Sequence, residues 1–202
     1  MAEKVYETGQ KGAMRRVAIV EVARHVLIEE GYDNFVLREI ANRADMKLGN
    51  LQYYFASRED LLEAVITQEI AHDLAAARKL TARATTAEDA LRISCKELVK
   101  IWSGEGGKIW GALIFLSMHN ARFQESRTRV YANFYGELAA IIERLQPSLR
   151  KDIRELRTHL IASLIDGAAL QLHIGASSIP PRQARRLLDA VAEKAVQIAR
   201  QT

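Results

Sequence analysis

The chain has 202 residues, 49% of them hydrophobic and 27% charged, with a formal net charge of +4. That composition supplies a core and argues against a disordered chain. A single cysteine, Cys95, excludes an internal disulfide and a cysteine-based metal cluster, which fits a reducing cytoplasm.

Residues 1–13 are polar, contain Gly9 and Gly12, and read as a mobile arm. The first helix is expected from Met14 to Glu30, with Ile19, Val22, Ala23, Val26 and Leu27 forming one apolar stripe. Gly31 suits a left-handed helix end. A second short helix spans Leu37–Ala44, with Leu37, Ile40, Ala41 and Ala44 inward. Asp45 falls at a turn where φ is positive, a conformation that Asp tolerates better than most residues. A third helix, Leu48–Phe55, turns Leu51 and Phe55 inward and leaves Leu48, Asn50, Gln52 and Tyr53 outward. Two short helices around a tight turn form a helix-turn-helix, in which one helix braces on the DNA backbone and the next enters the major groove.

Ser57-Arg-Glu-Asp60 is a capping box opening a long fourth helix. Thr85 with Glu88, or Thr86 with Asp89, starts the next, reaching Trp102. Ser103–Gly107 is a break, followed by helices over Lys108–His119 and Arg122–Leu145. Pro147 stops the latter, and Ser148 is the expected cap of a helix over Leu149–Gly175. After the break at Ser177–Pro181, a last helix covers Arg182–Arg200. No strand pattern appears, so the fold expected is all-α. The start lacks the apolar core of a signal peptide, and the longest apolar run, Trp110–Met118, is too short to span a bilayer. A cytoplasmic protein without a membrane partner is expected.

Residues 14–66 resemble the DNA-binding domain of the TetR family of transcriptional regulators. The likeness rests on Gly31-Tyr32, Ile40-Ala41, Ala44, Gly49, Leu51, Tyr54, Phe55 and the Ser57–Leu62 helix entry, with Ala64-Val65 after it. Four positions depart from the family's usual pattern: Asp45 for the turn glycine, Lys47 and Val36 for hydroxyl caps, and Gln52 for a tyrosine. The resemblance implies a nine-helix homodimer, with a DNA-binding domain over 1–57 and a dimerising, effector-binding domain over 58–202. It also implies a repressor released from a pseudo-palindromic operator by a small molecule, with no cofactor. The second half resembles regulators of choline and betaine metabolism, which names no ligand by itself.

Residues 1–57 carry eight basic and eight acidic side chains, so DNA binding rests on where they point. Arg15 and Arg16 at the first helix, Lys47 at the third and Arg58 at the fourth are candidates for phosphate, and Arg38, opening the second, for backbone or a base edge. Leu48 is on the outward face, and Gly49 lets the backbone approach DNA. Asn50 and Gln52 offer the donor and acceptor that adenine pairs with. Tyr53 reaches sugar, methyl or phosphate, while Tyr54 is divided between this face and the core.

One recognition helix reads too little, and two must stand about 34 Å apart. The dimer candidates are Leu156, Leu160, Ser163, Leu164, Gly167 and Ala168 on one helix and Leu187, Leu188, Val191, Ala195 and Ile198 on the other. These stripes also suit intrachain core. Cys95, Trp102, Trp110, Phe115, His119, Phe123, Tyr131, Phe134 and Tyr135 suit either a small-molecule pocket or ordinary core. Trp102, Trp110 and Tyr131 suit a cation. An effector is expected to act by shifting the fourth helix, which starts at the reading head.

Two rival readings are a helical protein-interaction adaptor and a metal enzyme. Glu69 and His72 have the spacing of a di-iron bundle, but no other histidine repeats it. No hydrolase triad, phosphate loop or zinc motif is present, so an enzyme is not expected.

Overall fold

The computed structural model describes residues 2–201, and side chains from residue 11 to residue 201. The described residues form nine helices and no strand. The chain divides into two compact units, Met1–Gln68 and Glu69–Thr202.

In the first unit, α1 runs over Ala2–Glu30, so residues 2–13, expected as an arm, continue the helix. That stretch is rich in good helix formers, and two glycines at about 1 kcal/mol each do not break it. Gly31 ends α1 at φ 78°. Helices α2 (Leu37–Arg43) and α3 (Leu48–Tyr54) follow as expected. Between them Asp45 sits at φ 49°, the positive value foreseen for the turn. Val36 and Lys47 give no side-chain cap, in line with their missing hydroxyls. The core of this unit joins Ile19, Val20, Ala23, Val26 and Leu27 to Phe35, Ile40, Leu51 and Phe55.

Helix α4 spans Arg58–Thr81. Its capping box is reciprocal: Asp60 N donates to Ser57 Oγ at 3.1 Å, and Ser57 N donates to Asp60 Oδ2 at 2.8 Å. The first unit closes at Gln68, inside α4, rather than at Ser57. The reason is that Leu61, Leu62, Val65 and Ile66 are all buried, so the first turns of α4 belong with the small core.

In the second unit, α5 (Ala87–Ser103) packs against α6 (Gly106–Ser117), α7 (Ala121–Leu145), α8 (Lys151–Ile174) and α9 (Pro181–Arg200). Thr86, rather than Thr85, caps α5 by accepting from Asp89 N. Asn120 caps α7. Ser148 is not the cap of α8: that position falls to Arg150, without a side-chain bond. Gly107 is required by close packing, because a Cβ there would lie 2.2 Å from Trp102 O and 2.7 Å from His173 Nδ1. Among the described residues, no helix is long and apolar enough to cross a membrane.

Candidate nucleic-acid interface and ligand site

The exposed face of α3 follows from its inward anchors. Leu51 and Phe55 are buried, which turns Gly49, Asn50, Gln52 and Tyr53 outward, Tyr53 at 84% exposure. Tyr54 is half-buried and packs edge-on against Tyr53, with ring centroids 5.3 Å apart. Next to this face lies an open depression of about 1040 Å³. Its lining includes Arg15, Arg38, Lys47, Leu48, Asn50, Tyr53 and Tyr54, bringing three helices to one concavity. Asn42, Asp45 and Met46 line it as well. Asn42 was missed in the sequence, although it lies one turn beyond Arg38 on the same helix.

The charges are sorted within the first unit, whose residues 1–57 carry equal numbers of basic and acidic side chains. Arg43 engages Glu29 and Glu39 at 3.0 Å each, together with Glu30, and so takes up three carboxylates. Arg15 Nη2 donates to Ala44 O at 3.2 Å, which ties it to the end of α2. Arg16 lies 4.6 Å over the Phe55 ring. Arg58 differs from expectation: its guanidinium sits 4.1 Å over the Tyr32 ring and bonds Tyr32 O. It is a brace of the α1 turn, turned inward by that ring and carbonyl, and not a free cation at the surface.

On α8, Leu156 and Leu160 are 55% and 45% exposed, and Ser163 and Gly167 are exposed with them. Leu170 and Ile174 extend the same stripe by helical spacing, while Leu164 is half-buried. The α9 candidates behave otherwise. Val191, Ala195 and Ile198, with Ala168 of α8, are buried inside the single chain, because α9 packs on α5 and α8. Leu187 and Leu188 are half-buried. The apolar face of α9 is therefore intrachain core, and the exposed stripe is confined to α8.

The aromatic residues separate into two sets. Trp102 stacks on Trp110 at 6.1 Å and 7°, with Phe134 edge-on to Trp102 at 5.2 Å. Tyr131 and Tyr135 join them, and His159 meets Tyr135 at 4.5 Å. Phe115 and His119 fall outside this cluster: both are exposed and meet edge-on, with ring centroids 5.3 Å apart. Phe123 is buried core. Cys95 is fully buried, which pushes its thiol up to about 12 and leaves it inert.

Two acidic groups not singled out in the sequence, Asp73 and Asp166, complete the cluster. Trp102 Nε1 donates to Asp73 Oδ2 at 3.0 Å, and Asp73 is buried. Glu69, one turn earlier, is buried too, whereas His72 is exposed, so the Glu69/His72 spacing does not form a pair facing one site. Among the described residues, no group of three or more potential ligands is placed to hold a metal. Trp110 Nε1 donates to Tyr131 OH at 3.1 Å, and Tyr131 OH donates to Asp166 Oδ2 at 3.0 Å. Asp166 Oδ1 is buried without a partner. Burial raises the Asp166 carboxyl to about 6, against the Tyr131 bond and the Arg127 charge, which lower it. Burial likewise raises both Tyr131 and Tyr135, so both phenols stay protonated. The sequence signal was a lone acid in the apolar run Leu164–Leu170, and two acids a turn apart on the inward face of α4. Two open troughs of about 480 and 500 Å³ flank the Arg78–Glu137 ion pair joining α4 to α7.

Comparison with known proteins bears on both sites. The sequence model described as bacterial regulatory proteins, tetR family, matches residues 19–65. That described as BetI-type transcriptional repressor, C-terminal, matches residues 105–197. The HTH-type transcriptional regulator BetI of Burkholderia mallei (strain NCTC 10229) is 28% identical over 184 residues, covering 86% of this chain and 89% of the relative. In fold, the chain is similar to a transcriptional regulator from Rhodococcus sp. Rha1, at a TM-score of 0.76 and 19% identity, over 90% of this chain and 96% of the other. It is also similar to a regulator from Saccharomonospora viridis in complex with choline, at 0.71 and 16% identity, over 90% and 95%.

Proposed function

Because the chain belongs to the TetR family of DNA-binding transcriptional regulators, which are not enzymes, and carries a BetI-type C-terminal domain, we propose that it is a homodimeric repressor released from its operator by a small organic cation. The observation that carries the DNA reading is the depression lined by Arg15, Arg38, Lys47, Asn50 and Tyr53, beside the outward face of α3. Arg15, Arg16, Arg38 and Lys47 neutralise phosphates, and Asn50 and Gln52 read base edges. Leu48, Gly49, Tyr53 and Tyr54 shape the approach. The operator is reached in the cytoplasm, and a dimer seated on a promoter blocks polymerase.

Two reading helices must be held about 34 Å apart to enter successive major grooves. The stripe of Leu156, Leu160, Ser163, Gly167, Leu170 and Ile174 supports α8 as the dimer face, since an isolated chain would leave that apolar strip in water. The effector reading is supported by stacked Trp102 and Trp110 beside the carboxylates of Asp73 and Asp166, a combination that attracts a cation. The Saccharomonospora relative, solved in complex with choline, gives the ligand class a precedent. The boundary between the two units falls inside α4. A ligand acting on the later turns of that helix therefore acts on an element whose first turns belong to the DNA-binding unit. Couplings of about 1–3 kcal/mol suffice to change operator occupancy severalfold or more.

Gel shift with genomic fragments, repeated across salt concentrations, tests the DNA reading. A specific complex whose affinity falls with added salt is expected. A folded protein that retards no duplex would refute it. Reading the genes beside bound fragments then identifies what is controlled.

A further inference from the structure

The Tyr131–Asp166 pair faces a second charge that neither the fold nor the effector reading uses. Arg127 lies one turn before Tyr131 on α7, and its guanidinium sits 5.5 Å from the centroid of that ring. The residue is half-buried, and among the described residues no hydrogen bond or ion pair engages it. Asp166 is equally incomplete. Oδ2 accepts from Tyr131 at 3.0 Å, while Oδ1 is buried and unpartnered. A cation and an anion thus share one tyrosine without closing a salt bridge. Arg127 is near enough for its charge to act on Asp166, but it does not fill the free oxygen.

We propose that Arg127 is a built-in competitor of the effector: it occupies the aromatic face and offsets the carboxylate that an incoming organic cation must take over, so that ligand entry displaces it. This rests on the cationic-effector reading above and adds the residue that sets the binding threshold. Two cations cannot use one tyrosine face and one carboxylate together, because their repulsion in a low-dielectric site outweighs what either gains. The empty Oδ1 gives the winning ligand its advantage. An O–H or N–H on the ligand completes that acceptor, which the guanidinium leaves open. Displaced Arg127 needs little compensation, since a half-buried arginine on a helix surface swings into water.

The test uses two probes of nearly the same shape, choline and its neutral carbon isostere 3,3-dimethylbutan-1-ol. Binding is read at pH 8 from tryptophan fluorescence, since both tryptophans of the chain, Trp102 and Trp110, lie in the cluster. Arg127→Gln is expected to tighten choline about tenfold and to leave the isostere unchanged. Arg127→Lys, which keeps the charge, stays within about threefold of wild type. In the Asp166→Asn background the gain from Arg127→Gln vanishes. If choline binds wild type and Arg127→Gln weakens it or leaves it unaltered, the competitor role is overturned and the cationic effector stands. If choline binds none of the folded proteins, the effector reading falls and the competitor with it.

Discussion

Asp166→Asn tests the buried carboxylate through stability alone, without any ligand. Desolvation raises this carboxyl from an ordinary 3.8 to about 6. The folded protein therefore holds the proton more firmly than the unfolded chain does. The sign follows: the group's contribution is intact below about pH 4 and is lost as pH rises through about 6. The full loss is about 3 kcal/mol, since each pH unit separating the folded from the unfolded value is worth about 1.4 kcal/mol. Integrating the two titrations between pH 5 and pH 8 leaves about 1 kcal/mol of it in that window. Asparagine has no such titration. It also places an amide where Oδ1 lacked a partner, but that cost does not vary with pH and cancels. Urea unfolding of both proteins at pH 5 and pH 8, at one protein concentration, measures the difference. The variant should gain about 1 kcal/mol on the wild type at pH 8 relative to pH 5. Parallel pH curves for the two proteins would refute the placement of an ionising, desolvated carboxylate at this position.

Other outcomes follow from the reading head and the proposed dimer face. Gln52→Ala should relax sequence preference, with about 1–3 kcal/mol of discrimination lost at one base pair, whereas Lys47→Ala should weaken all sequences alike and lower the salt slope by about 1. Binding across a site library separates the two, and a uniform loss for both would remove the distinction. Asp45→Gly relieves a side chain held at φ 49° and should stabilise the first unit by about 0.5–1 kcal/mol in denaturant melts; a destabilised variant would show that Asp45 makes a compensating interaction. Leu160→Glu puts a charge on each side of a two-fold contact and should raise the dimer dissociation constant at least about thirtyfold, by sedimentation. An unchanged dimer would move the interface elsewhere.

Local rules carried the sequence reading furthest where the chain's own chemistry decides. The capping box at Ser57, the glycine end at Gly31 and the positive φ at Asp45 are each properties of two to four neighbouring residues, and each is present. Alternation of inward and outward residues on α3 was legible for the same reason, since Leu51 and Phe55 fix one face and the rest follows. The start of α1 was misplaced because two glycines outweighed a run of good helix formers. Where an outcome depends on which helix meets which, the sequence was ambiguous. The α8 and α9 stripes look alike on paper, yet only α8 stays open once α5 has covered α9. Arg58 looked like a surface cation because nothing local announces the Tyr32 ring that holds it. Asp73, Asp166 and Arg127 escaped notice because a single charge in an apolar helix gains meaning only from neighbours far along the chain.

The three carboxylates gathered by Arg43 also bear on how the regulator searches a genome. With nine basic and eleven acidic side chains over residues 1–68, the DNA-binding unit has little long-range pull of its own toward the phosphate rod, so on this reading arbitrary chromosomal stretches would retain few molecules at any moment. Sequence then decides residence more than charge does. If the proposed function holds, a cell that carries only a small number of these proteins would keep most of them available for the operator instead of losing them to the bulk of its chromosome.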